Sequence, residues 1–397
     1  MSKPRIFIQL HYMELGGAER ALLGLLNAID TNRVDVDLFL NQHTGAFMPL
    51  IPSKIHLLPE EPEYSVIEKP LLTCLKQRQW KIAWARLIAK YKYHQYLRQN
   101  NLQSDGSATH YVFNEVISYL PSLKKYGHYD LAISFLDPPH IVQEKVDANV
   151  KMEWIHTDFS YVKVDIPTTL FWWQKNDYIG SISSTVTEQF LKLYPQLRPK
   201  IIEIHNILSP AFVRNQAKLF HVEKREDELT LCSVGRISYQ KNFESIPFVT
   251  RLLIDRGLRV RWIVIGPGDC SGIKNSARML GVEQNVELIG AVDNPYPYMD
   301  VCDIYVQPSR YEGNSVTVRE AQMLYKPVAI TNYNTASNQV QSGVDGIICE
   351  LRNEAIANAI YDLAIDNTLQ QSIVQNLLHQ DYGNEQEIEK IYQLLCI

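Results

Sequence analysis

Two glutamates, Glu312 and Glu320, are separated by seven residues in the stretch SRYEGNSVTVREAQ. The residues between them predict a turn followed by a helix, so that Glu312 precedes the helix and Glu320 lies inside it. If all eight steps were helical, the carboxylates would be roughly 12 Å apart, whereas the two carboxylates of a glycosidase are about 5–10 Å apart. The spacing therefore favours a pair that binds the two ends of one longer ligand.

The segment between the two glutamates is suited to an anion. Gly313 and Asn314 tolerate the backbone angles of a turn, and Ser315 or Asn314 fits the N-cap of the helix. A helix N-terminus offers free amides and a partial positive charge to a phosphate, while carboxylates accept hydrogen bonds from hydroxyls. Hydroxyls at both ends and an anionic middle describe a sugar nucleotide. Two glutamates taken alone are more simply explained by ion pairs with neighbouring residues. The surrounding sequence therefore has to distinguish a ligand site from such ion pairs.

Two cations follow another strand in the same half of the chain. In SVGRISYQKNFE, Arg236 and Lys241 come directly after the apolar run LTLCSVG, and open parallel sheets bind ligands beyond the carboxyl ends of their strands. Arginine offers a fork to phosphate oxygens and lysine a point charge, although two solvated loop cations would give the same pattern. The later turn GPGD is not a G-x-G-x-x-G fingerprint, so the sequence indicates no NAD site.

Strands and helices alternate along both halves of the chain. RIFIQL, ALLGLLNAI and VDVDLFL read as strand, helix and strand, and a second series begins near residue 229. Continuous apolar strands between helices predict parallel sheets that are covered on both faces. We therefore expect an α/β protein with two doubly wound domains at 1–205 and 229–380, a linker at 206–228 and a terminal helix at 381–397.

Composition places the chain among ordinary globular proteins. Its 397 residues are 46% hydrophobic and 21% charged, and the net charge of −5 gives no basis for nucleic-acid binding. Six cysteines are scattered without a C-x-x-C spacing, and no apolar run has the length of a signal peptide or a membrane-spanning helix. These features predict a cytoplasmic protein with reduced thiols.

Residues 69–104 differ from the rest of the chain in charge and aromatic content. The stretch holds eight lysine or arginine residues, no aspartate or glutamate, two tryptophans and three tyrosines. Amphipathic helices of this composition lie on anionic membrane surfaces, which would make the protein peripheral at the inner face of the cell membrane. A solvated basic face on an inserted helix explains the composition equally well, so both interpretations stay open.

Taken together, the motifs resemble the retaining GT-B glycosyltransferases of family 4, the glycosyl transferases group 1, whose hallmark is a glutamate, seven residues and a second glutamate. The matching pieces occur in the family's order: GGAER, VGRISYQKNFE, VIGPGD, VELIGAV, DIYVQPSRYEGNSVTVREA and SGVDGIIC. The resemblance is strongest over 229–350. WIHTDF at 154–159 is similar to the members that build bacterial capsules, O-antigens and exopolysaccharides.

The resemblance implies a GT-B fold, with two facing Rossmann-like domains, a cleft between them and a C-terminal helix that crosses back to the N-terminal, acceptor-side domain. In this family pattern Glu312 would bind hydroxyls of the donor sugar and Glu320 the ribose. Arg236 and Lys241 would neutralise the diphosphate. His156 would lie near the donor sugar as a further catalytic residue, although a packed or capping histidine is the structural alternative.

The resemblance also implies a set of substrate-binding positions. Gly16 and Gly17 would let the backbone approach the diphosphate from the first domain, and loop contacts near 290–296 would select the base. The full set beside the two glutamates is Gly16, Gly17, Gly290, Gly313, Asn314, Ser315, Val316 and Thr317. The family usually has an aromatic residue and a glycine where this chain has Asn314 and Ser315, so donor-sugar recognition is expected to differ.

The function implied by the resemblance is that of a retaining glycosyltransferase without a metal or other cofactor. It would move a hexose-type sugar from a UDP- or GDP-sugar to a hydroxyl of a saccharide or polyprenyl-linked saccharide, in bacterial surface polysaccharide biosynthesis. Two alternatives stay open on the residues alone. One is a sugar-nucleotide epimerase of the same fold, and the other is a non-catalytic, two-domain sugar-nucleotide-binding protein.

Overall fold

The chain folds into two α/β units, each built on its own sheet. The first unit comprises Met1–Ile207 together with Glu385–Ile397, and the second comprises Leu208–Asn384. The computed structural model describes residues 3–14, 16–157, 159, 162–312 and 315–396.

The strands of the first unit are β1 (Arg5–Leu10), β2 (Asp35–Leu40), β3 (His56–Leu57), β4 (His128–Ser134), β5 (Asp147–Ile155), β6 (Tyr178–Ser181) and β7 (Ile201–Glu203). They form one parallel sheet in the order β3-β2-β1-β4-β5-β6-β7. The helices that precede the second unit are α1 (Gly17–Ala28), α2 (Pro62–Ser65), α3 (Leu71–Lys76), α4 (Trp80–Gln99), α5 (Ala108–Val116), α6 (His140–Lys145), α7 (Ile166–Trp173) and α8 (Ser184–Leu193).

The strands of the second unit are β8 (Leu229–Val234), β9 (Val260–Ile265), β10 (Val286–Gly290), β11 (Ile304–Gln307), β12 (Val328–Thr331) and β13 (Gly346–Cys349). They are also all parallel, in the order β10-β9-β8-β11-β12-β13. Its helices are α9 (Pro210–Ala217), α10 (Ile246–Asp255), α11 (Ser271–Met279), α12 (Tyr296–Val301), α13 (Val316–Met323), α14 (Asn353–Ile365) and α15 (Asn367–His379). The predicted class, two Rossmann-like domains with doubly wound parallel sheets, is confirmed.

Short 3-10 turns supplement these elements at Met48–Leu50, Ile117–Tyr119, Leu123–Tyr126, Pro195–Lys200, Phe243–Ser245, Ala336–Asn338 and Glu385–Ile388. The central strands are buried along nearly their whole length, as the continuous apolar runs predict. Within the described residues, no helix is both long enough and apolar enough to cross a membrane.

Each sheet has one point at which successive strands are added on opposite sides. This switch point lies between β1 and β4 in the first unit and between β8 and β11 in the second. Because the strands of each sheet are parallel, the loops that follow these pairs emerge at the same edge, where open α/β sheets bind ligands. The residues after β1, β4, β8 and β11 are therefore where a site is expected in each unit.

The segment 206–228, predicted as a linker, contains regular structure. Residues from Leu208 belong to the second unit, and Val213 and Ala217 of α9 join its hydrophobic core. The helix starts with Ser209 as N-cap, whose Oγ accepts a hydrogen bond from the Phe212 amide at 3.3 Å, and a proline at the first position. Ser209 and Pro210 thus begin a helix within the predicted linker.

The residues at the C-terminal end form a 3-10 turn and then helix α16 (Glu389–Leu394), rather than one helix over 381–397. They pack with the first unit. The Tyr392 hydroxyl accepts a hydrogen bond from the Asp30 amide at 2.8 Å, and Arg33 pairs with Glu389 at 2.6 Å. Ile391 and Tyr392 are buried, which attaches this segment through apolar as well as polar contacts.

Candidate functional site

The two loops at the switch point of the second sheet meet through a buried ion pair. Lys241 lies in the loop after β8, Glu312 lies in the loop after β11, and the Lys241 Nζ is 2.7 Å from the Glu312 Oε1. Only 16% of the lysine side chain and 7% of the glutamate side chain are exposed. The structure thus brings together two residues that the sequence places 71 positions apart.

Glu312 is held by further donors. Its Oε1 also accepts hydrogen bonds from the Ser309 hydroxyl at 2.6 Å and the Gln307 amide at 3.1 Å, and its Oε2 from Gln240 at 3.4 Å. The Thr335 hydroxyl binds its carbonyl oxygen at 2.9 Å. A carboxylate removed from water needs such partners to stay ionised. The result is a pre-oriented negative group at the sheet edge.

The backbone of the loop after β8 makes room for this pair. Gly235 has a φ of +157°, and a Cβ at this position would be 3.1 Å from the Lys241 Cε. Asn242 adopts a left-handed conformation with φ of +56°, and its side-chain amide donates to the Pro308 carbonyl at 3.0 Å. These features position the lysine stem and connect the two loops.

Helix α13 begins beside the pair. The Ser315 amide donates to the Gln339 side-chain oxygen at 2.9 Å, and the Gln339 side-chain nitrogen donates to the Ser315 carbonyl at 2.9 Å. The Thr317 hydroxyl donates to Gln307 at 3.3 Å, and Val316 is half-buried. The start of α13 is therefore fixed, and its partial positive charge lies next to Glu312 in sequence. Gly313 and Asn314 lie outside the described residues.

Glu320 points to the interior of the second unit. Only 1% of the residue is exposed, and its Oε1 accepts a hydrogen bond from the Tyr296 hydroxyl at 2.6 Å. Glu320 is therefore not a surface residue. A ligand hydroxyl can reach this carboxylate only if neighbouring side chains give way.

Arg236 and Gly290 lie at the carboxyl ends of their strands. Arg236 is exposed, and within the described residues its side chain forms no hydrogen bond or ion pair. Gly290 ends β10 with a φ of +84°, and its carbonyl accepts a hydrogen bond from the Gly266 amide at 2.8 Å. Within the described residues the Arg236 side chain makes no hydrogen bond or ion pair with Glu312, and Gly290 can contribute only its backbone.

In the first unit, Gly16 and Gly17 mark the start of α1. Gly16 is the N-cap in an extended conformation, and a Cβ there would overlap the Glu19 carboxylate. Gly17 is exposed, and a Cβ there would meet no atom within 4 Å. Burial raises the pKa of Glu19, whose side chain folds back over the helix N-terminus. A side chain at position 16 would thus displace the Glu19 carboxylate, whereas position 17 has room for one.

His156 follows β5, the strand next to β4. Its ring lies 4.7 Å from the Phe135 ring and stacks on Trp154 at 6.0 Å with an interplanar angle of 21°. Its Nε2 is buried and has no hydrogen-bond partner within the described residues. Burial lowers the pKa of His156 to about 4, so the imidazole is neutral at physiological pH. It is packed, as the structural alternative held, and has one polar atom left for a ligand.

A second group of residues, not predicted from the sequence, lies at the switch point of the first sheet. His11 follows β1, and its Nδ1 is 2.7 Å from the Glu68 Oε1. A pocket of about 500 Å³ opens beside this pair. Among the residues that line it are Tyr12, Gln42, Glu68, Arg86, Thr109 and Phe113. Burial alone would raise the pKa of Glu68, but the hydrogen bond from His11 and the charges of His11 and Arg86 outweigh it, and the pKa is lowered.

Buried polar groups continue below this pocket. His110 Nε2 is 2.8 Å from the Asp137 carboxylate, which follows β4, and Asn176 donates to Glu153 of β5 at 2.8 Å. Burial and the nearby Asp137 charge raise the pKa of Glu153 well above its usual value. A sequence signal for this group existed, because QLHY and SFLDPPH place polar residues directly after the strands that flank the switch point.

Comparison with known proteins shows that the chain is similar to glycosyltransferases. Residues 215–379 match the family model for glycosyl transferases group 1. An uncharacterized glycosyltransferase of Haemophilus influenzae is 28% identical over 256 residues, which cover 62% of this chain and 69% of that protein. The capsular polysaccharide biosynthesis glycosyltransferase CapM of Staphylococcus aureus is 30% identical over 153 residues, 38% of this chain and 40% of CapM.

The fold has solved counterparts across its whole length. The crystal structure of Anabaena HepE in complex with UDP-glucose has a TM-score of 0.61 and 15% identity, and the match covers 99% of both chains. Such neighbours are GT-B glycosyltransferases, and at this identity they show the fold alone. The chain therefore has the GT-B fold, and residues 215–379 in its second unit are similar to the glycosyl transferases group 1 domain.

The buried His156 predicts a loss of stability in acid. Its folded-state pKa of about 4 is below the ordinary value near 6.5, so the unfolded chain takes up the proton first as the pH falls. The neutral His156 therefore contributes fully to the free energy of unfolding above pH 6.5. This contribution declines toward pH 4, and about 2 kcal/mol of it is lost at pH 5. Urea unfolding at pH 7 and pH 5 should show this extra sensitivity in the wild type and its absence in His156→Phe. His221→Phe, at an exposed position, serves as control; equal acid sensitivity in all three proteins would contradict the assignment.

Proposed function

We propose that the protein is a retaining glycosyltransferase of family 4 that transfers a hexose-type sugar from a nucleoside diphosphate to an acceptor hydroxyl. The donor is a UDP- or GDP-sugar, and the acceptor is a saccharide or polyprenyl-linked saccharide of a bacterial surface polysaccharide. The observation that carries the proposal is the buried Lys241–Glu312 pair at the switch point of the second sheet, next to the start of α13.

The pair matches the two kinds of group that a sugar nucleotide presents. Glu312 has a charged oxygen held by three donors, and hydroxyls of the donor sugar can exchange with the weaker of these contacts. Lys241 carries a charge that an incoming diphosphate can share. Without a ligand, Lys241 and Glu312 each serve as the other's counter-charge in a place with little access to water. A donor that supplies hydroxyls and phosphates satisfies both groups at once.

No metal ion is required in this proposal, because the protein's own charges face the leaving group. The bond between the anomeric carbon and the phosphate oxygen breaks while a bond to the acceptor oxygen forms on the same face. Attack on this face gives retention of configuration, and the acceptor proton passes to the departing phosphate oxygen. Arg236, Lys241 and the amides at the start of α13 stabilise the negative charge that develops on the diphosphate.

The remaining predicted positions have assigned roles in this proposal. Gly313 to Thr317 contribute backbone and hydroxyl contacts to the sugar and phosphates, and the loop from Gly290 to Tyr296 faces the base. Glu320 binds the ribose after the Tyr296 hydroxyl gives up its hydrogen bond. The roles of Gly16, Gly17 and His156 rest on the resemblance to family 4.

The acceptor saccharide is assigned to the pocket of the first unit. The ring of Tyr12 offers an apolar face to a sugar ring, while Gln42, Glu68 and Arg86 offer acceptors and donors to hydroxyls. The lowered pKa of Glu68 keeps its carboxylate ionised at physiological pH, as an acceptor for hydroxyl protons. The pocket volume of about 500 Å³ lies within the range of small-ligand sites, about 300–1,000 Å³.

The family match and the named relatives favour glycosyl transfer over the two alternatives. An epimerase would return an altered nucleotide sugar without consuming an acceptor. A non-catalytic binding protein would bind donors and release no nucleoside diphosphate. Product analysis with one bound donor and a panel of acceptors separates all three.

Donor binding is tested by thermal-shift titration with UDP-, GDP-, ADP- and dTDP-sugars, the free nucleoside diphosphates and the nucleosides. One nucleoside diphosphate and its sugars should raise the melting temperature with concentration, by mass action. Arg236→Ala should weaken binding of the nucleoside diphosphate at least fivefold and leave binding of the nucleoside unchanged, because in this proposal the exposed arginine contacts only the phosphates. Lys241→Ala tests the same charge but also leaves Glu312 unpaired, so Arg236 gives the clearer result. An equal loss of affinity for the nucleoside and for the nucleoside diphosphate would contradict a role of Arg236 in binding the diphosphate.

Replacement of Glu312 should separate binding from chemistry. In Glu312→Ala the nucleoside diphosphate should still bind, whereas turnover with the identified donor should fall at least tenfold, because the sugar loses its charged hydroxyl acceptor. Steady-state kinetics with Glu354→Ala as control, an exposed glutamate on α14, gives the comparison. Normal turnover in Glu312→Ala would remove Glu312 from the site.

The acceptor pocket predicts a different kinetic result for Glu68. Glu68→Gln keeps the shape of the side chain but removes its charge, so the KM for the acceptor should rise about tenfold while the Kd for the donor is unchanged. Glu188→Gln, at an exposed position on α8, serves as control. An unchanged acceptor KM together with unchanged stability would place the acceptor elsewhere.

A further inference from the structure

Helix α4 carries a ridge of exposed aromatic and apolar side chains. The exposed fractions are 62% for Trp80, 63% for Trp84, 47% for Leu87 and 70% for Tyr91. These residues follow one another at intervals of four, three and four. At ~100° per residue, all four lie within ~60° of one another around the helix axis. We call these four residues the α4 ridge.

The opposite side of α4 is part of the core of the first unit. Ile82, Ala85 and Ala89 lie on this opposite side and are buried, whereas the buried Ala83 and Leu97 lie between it and the α4 ridge. Arg86 anchors the helix further, since its guanidinium donates to the carbonyls of Val66 at 3.0 Å and Lys69 at 2.6 Å. The helix is thus apolar on two opposite faces, one packed and one open to solvent. Core packing explains the first face and leaves the second unexplained.

The preceding helix α3 carries two further exposed apolar side chains. Leu72 is 70% exposed and Leu75 is 36% exposed. The α3 segment leads into α4 through a short connection, so these leucines precede the α4 ridge directly in the chain. Exposed large apolar side chains are common singly, but a contiguous series of this kind marks a surface that meets an apolar phase or a partner.

Positive charge flanks the α4 ridge on both sides. From the helical angles, Lys81 lies ~90° to one side of the ridge centre and Lys90 ~90° to the other. Both are exposed, as are Lys76, Arg78 and Arg98, and within the described residues these five cations have no carboxylate partner. Lys92 is the exception, since it pairs with Glu115 at 2.5 Å. The surface is therefore apolar in the middle and cationic at its borders.

We infer that the α4 ridge docks the protein onto the headgroup region of a bilayer that contains anionic phospholipid. Tryptophan and tyrosine place their rings at the boundary of acyl chains and headgroups, while flanking lysines keep their ammonium groups among the phosphates. The absence of acidic residues over 69–104 favours an anionic surface. A second copy of this chain is a poorer occupant, because two identical cationic borders would repel. This inference does not depend on the proposed function, since docking needs neither donor nor acceptor.

The distribution of tryptophans supplies a direct readout. Trp80 and Trp84 are exposed, whereas Trp154, Trp172, Trp173 and Trp262 are buried, with at most 6% exposed. Vesicles of phosphatidylglycerol and phosphatidylethanolamine should shift the emission of the exposed pair to shorter wavelength and protect it from iodide. Lipids brominated near the headgroup end of the acyl chain should quench it. Pure phosphatidylcholine vesicles should have at least tenfold less effect, as should anionic vesicles in 0.5 M salt.

Variants locate the effect on the helix. Trp80→Ser with Trp84→Ser should reduce co-sedimentation with anionic vesicles at least tenfold, and Lys81→Gln with Lys90→Gln severalfold. All four positions are exposed, so the circular dichroism and melting temperature should be retained. Met279→Ser, at a position that is 83% exposed in the second unit, is the matched control and should bind as the wild type does.

Three results would overturn the inference. One is the absence of any emission shift with folded protein and anionic vesicles. Another is equal binding to anionic and zwitterionic vesicles, which would remove the role of the cations. The third is a concentration-dependent dimer, seen by sedimentation velocity without lipid, that disappears in the double tryptophan variant and so assigns the α4 ridge to a second copy of the chain.

Discussion

All-parallel strand order is the constraint on which the rest of the structure depends. It sends the carboxyl end of every strand in a sheet to one edge, so residues far apart in the chain meet there. Lys241 and Glu312 come together after β8 and β11 for this reason, whereas His11 after β1 meets Glu68 from the connection between α2 and α3. Both sheets therefore collect their charged groups at the switch point, where loops can vary without disturbing the core.

Burial of the Lys241–Glu312 pair has an electrostatic cost that the neighbouring donors offset. Each ion loses part of its hydration, and the Ser309 hydroxyl and Gln307 amide replace some of it around Glu312. The ion pair is stable without a ligand, yet each of the two residues has one main counter-charge, which a group of the ligand can replace. A ligand with both hydroxyls and phosphates can contact Glu312 and Lys241 at the same time. Separating the ion pair therefore costs less electrostatic free energy with such a ligand than with one that carries only hydroxyls or only phosphates.

Much of this arrangement could be predicted from the sequence, because strand ends and glycine turns identify the sheet edge. The fold class and the positions of Arg236, Lys241 and Glu312 relative to their strands followed from local patterns. The interior position of Glu320 against Tyr296 did not, since helix periodicity alone does not say which face a neighbouring helix covers. The linker at 206–228 was misassigned because Ser-Pro marks both turns and helix starts, and the His11–Glu68 contact spans 57 positions without a local signal.

The return of Glu385–Ile397 to the first unit makes the second unit an insertion within the first. During synthesis, Leu208–Asn384 emerges complete before the segment that holds Ile391 and Tyr392, so the second unit can fold while the first still lacks part of its core. In the finished protein the Asp30 amide donates a hydrogen bond to the Tyr392 hydroxyl. This bond cannot form until a residue 362 positions later in the chain has been synthesised. Ribosome-bound chains that stop before this segment would thus carry a folded second unit beside a first unit with an open apolar surface, a state that chaperones would recognise.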